Sequence, residues 1–156
     1  MKKILLVLSL FMVSVFADIY NDETRLIAQG KGVMFIFESK SCPYCELLKK
    51  DFKENKEMKE LSKGFNIYFI NQDNQKDYVV GKTEKKETTT TLRMAFMAKT
   101  TPNIVMFDKK WNKIFQLPGY AHPAQMITFM KFIDGLHNGD YTAKDWQKYL
   151  KDNGVS

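Results

Sequence analysis

Three observations predict an α/β fold with a mixed central β-sheet flanked by helices on both faces. The uninterrupted apolar run Val33–Phe37 reads as a strand buried on both sides and Phe65–Ile70 as a second strand, with a long amphipathic helical stretch between them. That is a β-α-β unit, which demands a parallel pair and a helix packed on the sheet. Farther on, Ile104–Phe107 and Lys113–Leu117 are separated only by the turn Asp108–Asn112, so they read as an antiparallel hairpin. The chain has 156 residues, 44% hydrophobic and 13% aromatic, enough for one domain with a true core and too apolar for a disordered chain.

The order of elements begins with an address. Lys2 and Lys3 precede the apolar stretch Ile4–Phe16, and Val15-Phe16-Ala17 offers small residues at both cleavage-reading positions. Residues 1–17 therefore read as a secretory signal peptide, cut after Ala17, with a buried N-terminal helix as the alternative. The segment holds no cysteine, which argues against a lipid anchor, and no apolar run reaches the ~18 to 20 residues of a membrane helix. Residues 18–156 are then the folded domain, working in the periplasm, where disulfides persist.

Asp18–Ala28 reads as a short amphipathic helix with Leu26 and Ile27 facing inward, ended by Gly30-Lys31-Gly32. After the first strand, Ser39-Lys40-Ser41 leads into Cys42-Pro43-Tyr44-Cys45, and Pro43 suits a first helical turn. Leu47, Leu48, Phe52, Met58 and Leu61 then recur at helical spacing, with an interruption expected near Asn55. Residues 72–91 are polar apart from Tyr78-Val79-Val80 and read as an insertion carrying a small strand or hairpin. The threonines Thr88–Thr91 can cap a helix beginning near Leu92. Met126, Ile127, Met130 and Ile133 line one face of a helix over Pro123–Leu136. Thr142 and Asp145 suggest a capping box opening a C-terminal helix at about 142–153, with Trp146, Tyr149 and Leu150 docking inward.

The formal charge of +6 and the pI near 9.2 invite a nucleic-acid reading. The lysines are interspersed with acids along helices, however, so the charge reads as a solvated surface with no nucleic-acid partner.

Cys42-Pro43-Tyr44-Cys45 carries the chemistry. A C-x-x-C after a buried strand and opening a helix is the redox context of that spacing. Cys42 would lie at the helix N-terminus, where free N–H groups and the helix dipole favour a thiolate and bring its pKa to roughly 3.5–7.5 from about 8.5. Cys45, one turn on and more buried, would resolve a mixed disulfide rather than start one. A purely structural disulfide and half of a zinc site are the alternatives. For zinc, only His122 and His137 could complete the ligands, so no metal is expected. Thr101-Pro102, just before the strand at Ile104, is the second signal. Taken alone an X-Pro bond is usually trans, but this position after a C-x-x-C suits a cis proline.

With these motifs the chain resembles the thioredoxin superfamily over about residues 20–137, and within it exported SoxW-type thioredoxin-like proteins. The stretches that carry the resemblance are Val33–Phe37 leading into Cys42-Pro43-Tyr44-Cys45, Gly81-Lys82-Thr83, Thr101–Asp108 and Leu117-Pro118-Gly119-Tyr120. The resemblance implies a thioredoxin-like fold. It implies that Pro102 is a cis proline facing the sulfurs and that the backbone of Thr101 pairs with the substrate chain. It further implies a periplasmic thiol–disulfide oxidoreductase whose only redox centre is the Cys42–Cys45 pair, with no separate cofactor. Such a protein would act as a monomer, reduce disulfides of exported proteins and draw electrons from a membrane thiol reductase. Pro43-Tyr44 is the dipeptide of glutaredoxins, so a glutathione-dependent enzyme is one alternative. A binding or chaperone module with a structural disulfide is another.

The chain departs from common thioredoxins at Ile36, six positions ahead of Cys42, where a buried carboxylate is usual, and it has Lys40-Ser41 where a tryptophan would precede the first cysteine. Glu38 reads as a solvated rim residue and His122 as a surface histidine. His137 reads as a favourable charge at a helix end, and the methionines read as core filler.

Overall fold

The computed structural model describes residues 24–81 and 85–155, and the N-terminal segment read as a signal peptide lies outside them. Strand β2 (Gly32–Glu38) is the centre of the molecule. Its side chains alternate between two apolar layers, and both are covered, so the whole run from Gly32 to Phe37 is buried. β3 (Phe65–Asn71) pairs with it in parallel, Met34 opposite Ile67 and Ile36 opposite Phe69. β6 (Asn103–Phe107) pairs on the other side in the antiparallel sense, Phe35 opposite Val105, and β7 (Lys113–Pro118) adds the outer antiparallel strand. The sheet order is β3-β2-β6-β7, the mixed sheet expected from the sequence. Gly32 allows the close approach of β3: a Cβ there would stand 2.7 Å from the Phe65 ring.

One face of this sheet is closed by three helices. α1 (Pro43–Glu54) brings Leu48 and Phe52, α2 (Lys56–Ser62) brings Met58, and α4 (Pro123–Asn138) brings Met126, Phe129, Met130 and Ile133. The expected interruption falls at Asn55. Its N–H completes α1 by donating to the Asp51 carbonyl, while its side chain accepts from the N–H groups of Glu57 and Met58 and so starts α2. A 3₁₀ turn (Ala143–Asp145) and α5 (Trp146–Asp152) follow α4, and the Asp145 carboxylate accepts both the N–H and the hydroxyl of Thr142. Trp146 stacks on Phe115 at 4.5 Å and 5°.

The other face carries a second, three-stranded sheet in the order β1-β4-β5 and the short helix α3. β4 (Asp77–Val80) and β5 (Lys85–Thr88) are an antiparallel pair inside residues 72–91. β1 (Arg25–Leu26) lies parallel to β4, with Arg25 opposite Val79 and Leu26 opposite Val80. This corrects the helix expected over Asp18–Ala28: Arg25–Leu26 is a strand, no helix is present over residues 24–28, and residues 18–23 lie outside the described part. The apolar pair Leu26-Ile27 fits either structure locally, and pairing with β4, more than fifty positions away, decides for the strand. α3 (Thr89–Ala95) starts three residues before the expected Leu92. Thr88 and Thr91 each accept the other's backbone N–H, so the threonine run supplies both the cap and the first turn.

Candidate functional site

Cys42 is the N-cap of α1 and Pro43 occupies the first helical turn, where its missing N–H costs nothing. The backbone N–H of Cys45 donates to Cys42 Sγ at 3.2 Å. The two sulfurs are joined in a disulfide. Cys42 retains 6% of its surface in contact with solvent and Cys45 retains none. A sulfur at an N-cap, receiving a backbone N–H, is one whose anion the helix stabilises.

The loop that delivers Cys42 is tied to its neighbours. Lys40 N–H donates to Asp73 at 2.6 Å, and Gln72 N–H donates to the Glu38 carbonyl at 2.8 Å. The hydroxyls of Ser39 and Thr101 are hydrogen-bonded at 3.2 Å, which sets the Thr101–Pro102 turn beside the loop leading to Cys42. The Thr101–Pro102 peptide bond is cis. Gly119, with φ near +102°, donates its N–H to the Pro102 carbonyl at 2.8 Å and joins the end of β7 to the same turn. Phe37 at the end of β2 lies opposite Asn103, so the sheet register brings the C-x-x-C and X-Pro segments, about sixty residues apart in sequence, to one edge.

Tyr44 is 60% exposed, and its ring stacks on Tyr120 at 5.8 Å and 28°. Tyr120 O–H donates to Asp51 Oδ2 at 2.5 Å. Burial and then the carboxylate beside it push the Tyr120 phenol up to about 12. Asp51 carries no signal in the sequence, and Tyr120 stands out there only as the last residue of the matching stretch Leu117-Pro118-Gly119-Tyr120.

Ile36 is fully buried opposite Phe69, so the position facing β3 below the cysteines is apolar. Glu38 is not the solvated rim residue expected. Its side chain is mostly covered and pairs with Lys49 at 2.6 Å, and Lys49 lies one helical turn beyond Cys45 and over the Phe69 ring. Burial alone would pull the Lys49 pKa down. Its bonds to Glu38 and Glu46 outweigh that and hold it above the ordinary lysine value.

His122 caps α4 at the surface, with Nδ1 facing the Ala124 N–H. His137 departs from the expected helix-end charge. Burial and then Lys109 press its pKa below the ordinary value, and its Nε2 accepts the Lys109 N–H at 3.0 Å as a neutral ring must. Among the described residues, no group of three His, Cys, Asp or Glu side chains is placed to hold a metal ion.

Residues 19–134 match the family described as thioredoxin-like domain. A thioredoxin-fold protein from Helicobacter pylori is 30% identical, with a TM-score of 0.78, over 87% of this chain and 89% of that one. A thioredoxin from Thermus thermophilus shares the fold at 20% identity and a TM-score of 0.54, over 69% of this chain and 76% of that one. No curated protein matches the sequence.

Proposed function

This chain belongs to the thioredoxin-like domain family, and on that premise we propose that it is a thiol–disulfide oxidoreductase acting on disulfides of exported proteins. The observation that carries the reading is the asymmetry of the two sulfurs. Cys42 stands at the helix N-cap with a backbone N–H on its sulfur, and Cys45 is sealed in the protein one turn later.

The chemistry follows from that asymmetry. In the reduced protein the Cys42 thiolate attacks one sulfur of a partner disulfide. A Cys42–partner disulfide forms, and the other partner sulfur leaves as a thiolate and takes up a proton. Cys45, deprotonated, then attacks Cys42 Sγ and expels the second partner sulfur. Two electrons pass to the partner, and the Cys42–Cys45 disulfide is the oxidised product. Pro43 shapes the turn and Tyr44 presents its ring beside the sulfurs. The backbone of Thr101 pairs with the incoming chain, and Pro102, lacking an N–H, does not compete for that pairing.

The finer reading has the domain at residues 18–156, exported after cleavage of residues 1–17 and working as a periplasmic monomer of the SoxW type. It uses no cofactor beyond its own cysteines, takes electrons from a membrane thiol reductase and has no nucleic-acid partner. The basic start, apolar run and small residues ending at Ala17 support the export step.

Trapping tests the mechanism. Cys45→Ser accumulates a covalent, reductant-sensitive complex with partner proteins through Cys42, while Cys42→Ser accumulates little. Equal trapping by both variants, or trapping by Cys42→Ser alone, overturns the assignment of attacking and resolving sulfurs. The reduction potential of the pair gives the direction: near about −270 mV it is a reductant, near about −120 mV an oxidant.

A further inference from the structure

On the face of the sheet away from α1 lies an apolar groove of about 610 Å³ that the thiol chemistry does not use. That volume falls within the roughly 300–1,000 Å³ of small-molecule sites. Phe35 and Phe107, packed edge-on at 5.1 Å and almost fully buried, underlie the groove. Phe96 and Leu92 form one wall, and Trp111 forms the opposite one. Val80 at the end of β4 and Gly81 just after it close a third side.

The walls are fixed before any ligand arrives. α3 is pinned to the preceding loop, because Thr89 Oγ1 donates to the Asn74 carbonyl at 2.8 Å and accepts the Lys76 N–H at 3.0 Å. The Asp108 carboxylate accepts from the N–H groups of Lys110 and Asn112 and from the Asn112 side chain, all within 2.9 Å, and so locks the turn that carries Trp111. Trp111 itself sits at φ 71°, a left-handed conformation costly for a non-glycine residue, with its indole laid beside Phe35 and Phe107 at 5.9 and 5.6 Å.

The rim has a sign. Lys85, Lys109 and Lys110 border the groove, and Glu87 is the one carboxylate among its lining residues. Glu87 is taken by Lys85, and the ion pair holds its carboxyl below the ordinary glutamate value. Lys109 Nζ donates to the neutral carbonyl of His137 at 3.1 Å, so its charge is not cancelled there. An aromatic trough with an excess of two positive charges at one end is complementary to an apolar body bearing one negative group.

We propose that this groove is a binding site for a small amphipathic organic anion, an apolar ring or chain carrying a single carboxylate or sulfonate. The apolar body lies between Phe96 and Trp111, above the buried Phe35 and Phe107, and the anionic group meets Lys109 and Lys110 at the rim.

Two probes with one apolar body test it on the folded, full-length chain: 8-anilinonaphthalene-1-sulfonate, and N-phenyl-1-naphthylamine, which lacks the sulfonate. The expected result is saturable, one-to-one binding of the sulfonate. The paired substitution Lys109→Ala and Lys110→Ala weakens it about tenfold and leaves the neutral probe unchanged. Ala95→Trp, at an exposed position of the α3 wall, removes both probes, with the fold checked by circular dichroism. Alkylation of reduced Cys42 keeps the same rate with the sulfonate bound. Absence of saturable binding overturns the proposal. So does equal loss of both probes in the lysine variant, or full binding retained in a folded Ala95→Trp protein.

Discussion

The two faces of the central sheet are built from the same alternating strands and are closed by different means. On the α1 side, three helices set aliphatic and methionine side chains into the sheet, and Leu48, Phe52, Met58, Met126, Met130 and Ile133 are all completely buried. On the α3 side the sheet contributes Phe35, Phe37 and Phe107, and the cover is a seven-residue helix and a small hairpin sheet. That cover leaves a groove between α3 and the turn carrying Trp111, while the strand residues beneath it, Phe35, Phe37 and Phe107, are at most 5% exposed. The difference lies in the covering elements and not in the strand: adjacent residues Phe35 and Ile36 are both sealed, at 1% and 0% exposure, but Phe35 lies beneath the groove and Ile36 within the helix-covered core.

Matched truncations break or sharpen that contrast. Leu48→Ala removes a side chain from the closed face and leaves a sealed cavity, so it costs about 4 kcal/mol. Leu92→Ala removes the same atoms beside a space that solvent already reaches, and costs about 2 kcal/mol. Denaturant midpoints at constant m-value measure both, and equal losses would show that the two faces are equally closed.

A smaller effect comes from Tyr120, at the cysteine edge. Its folded pKa is raised, so the stabilisation it adds is complete below the unfolded value near 10 and is lost as pH rises through about 12. Tyr120→Phe costs about 1.5 kcal/mol at neutral pH, for the lost bond to Asp51. It also flattens the decline in stability measured between about pH 10 and 12.

His137, bordering the turn beside the groove, gives the smallest effect. Its folded pKa is lowered, so the stability it contributes is complete above the unfolded value near 6.5 and is lost as pH falls through the folded one. The gap in thermal midpoint between the protein and His137→Asn narrows on going from about pH 7 to pH 5, and a constant gap would remove His137 from the acid response.

These cases also mark what a sequence can disclose. Cys42 and Cys45 announce themselves because their spacing is written in adjacent residues, and Thr101-Pro102 stands out only once that pair is seen upstream of it. The central strand announces itself because burial on both faces leaves no polar position in Val33–Phe37. Glu38 with Lys49 and Tyr120 with Asp51 are formed across the fold, and neither partner is unusual in its own neighbourhood. The segment before Ala28 went the other way for the same reason: a strand two residues long has no period of its own, and only β4 makes it a strand. The groove was equally hidden, since its lysines and aromatics belong to four separate stretches of chain.

The C-terminal stretch has a consequence for how the chain acquires its shape. Gly135 leaves room in α4 for Tyr141, whose ring would stand 2.4 Å from a Cβ there. Tyr141 stacks on Phe132, and Tyr149 and Trp146 close on the same ring. All of these contacts lie within one short span, so closing them costs little loop entropy, whereas β2 must find β6 across most of the domain. The aromatic clip from α4 to α5 is thus a local unit that can form ahead of the sheet and offer it a prepared surface, with sheet assembly left as the slow step.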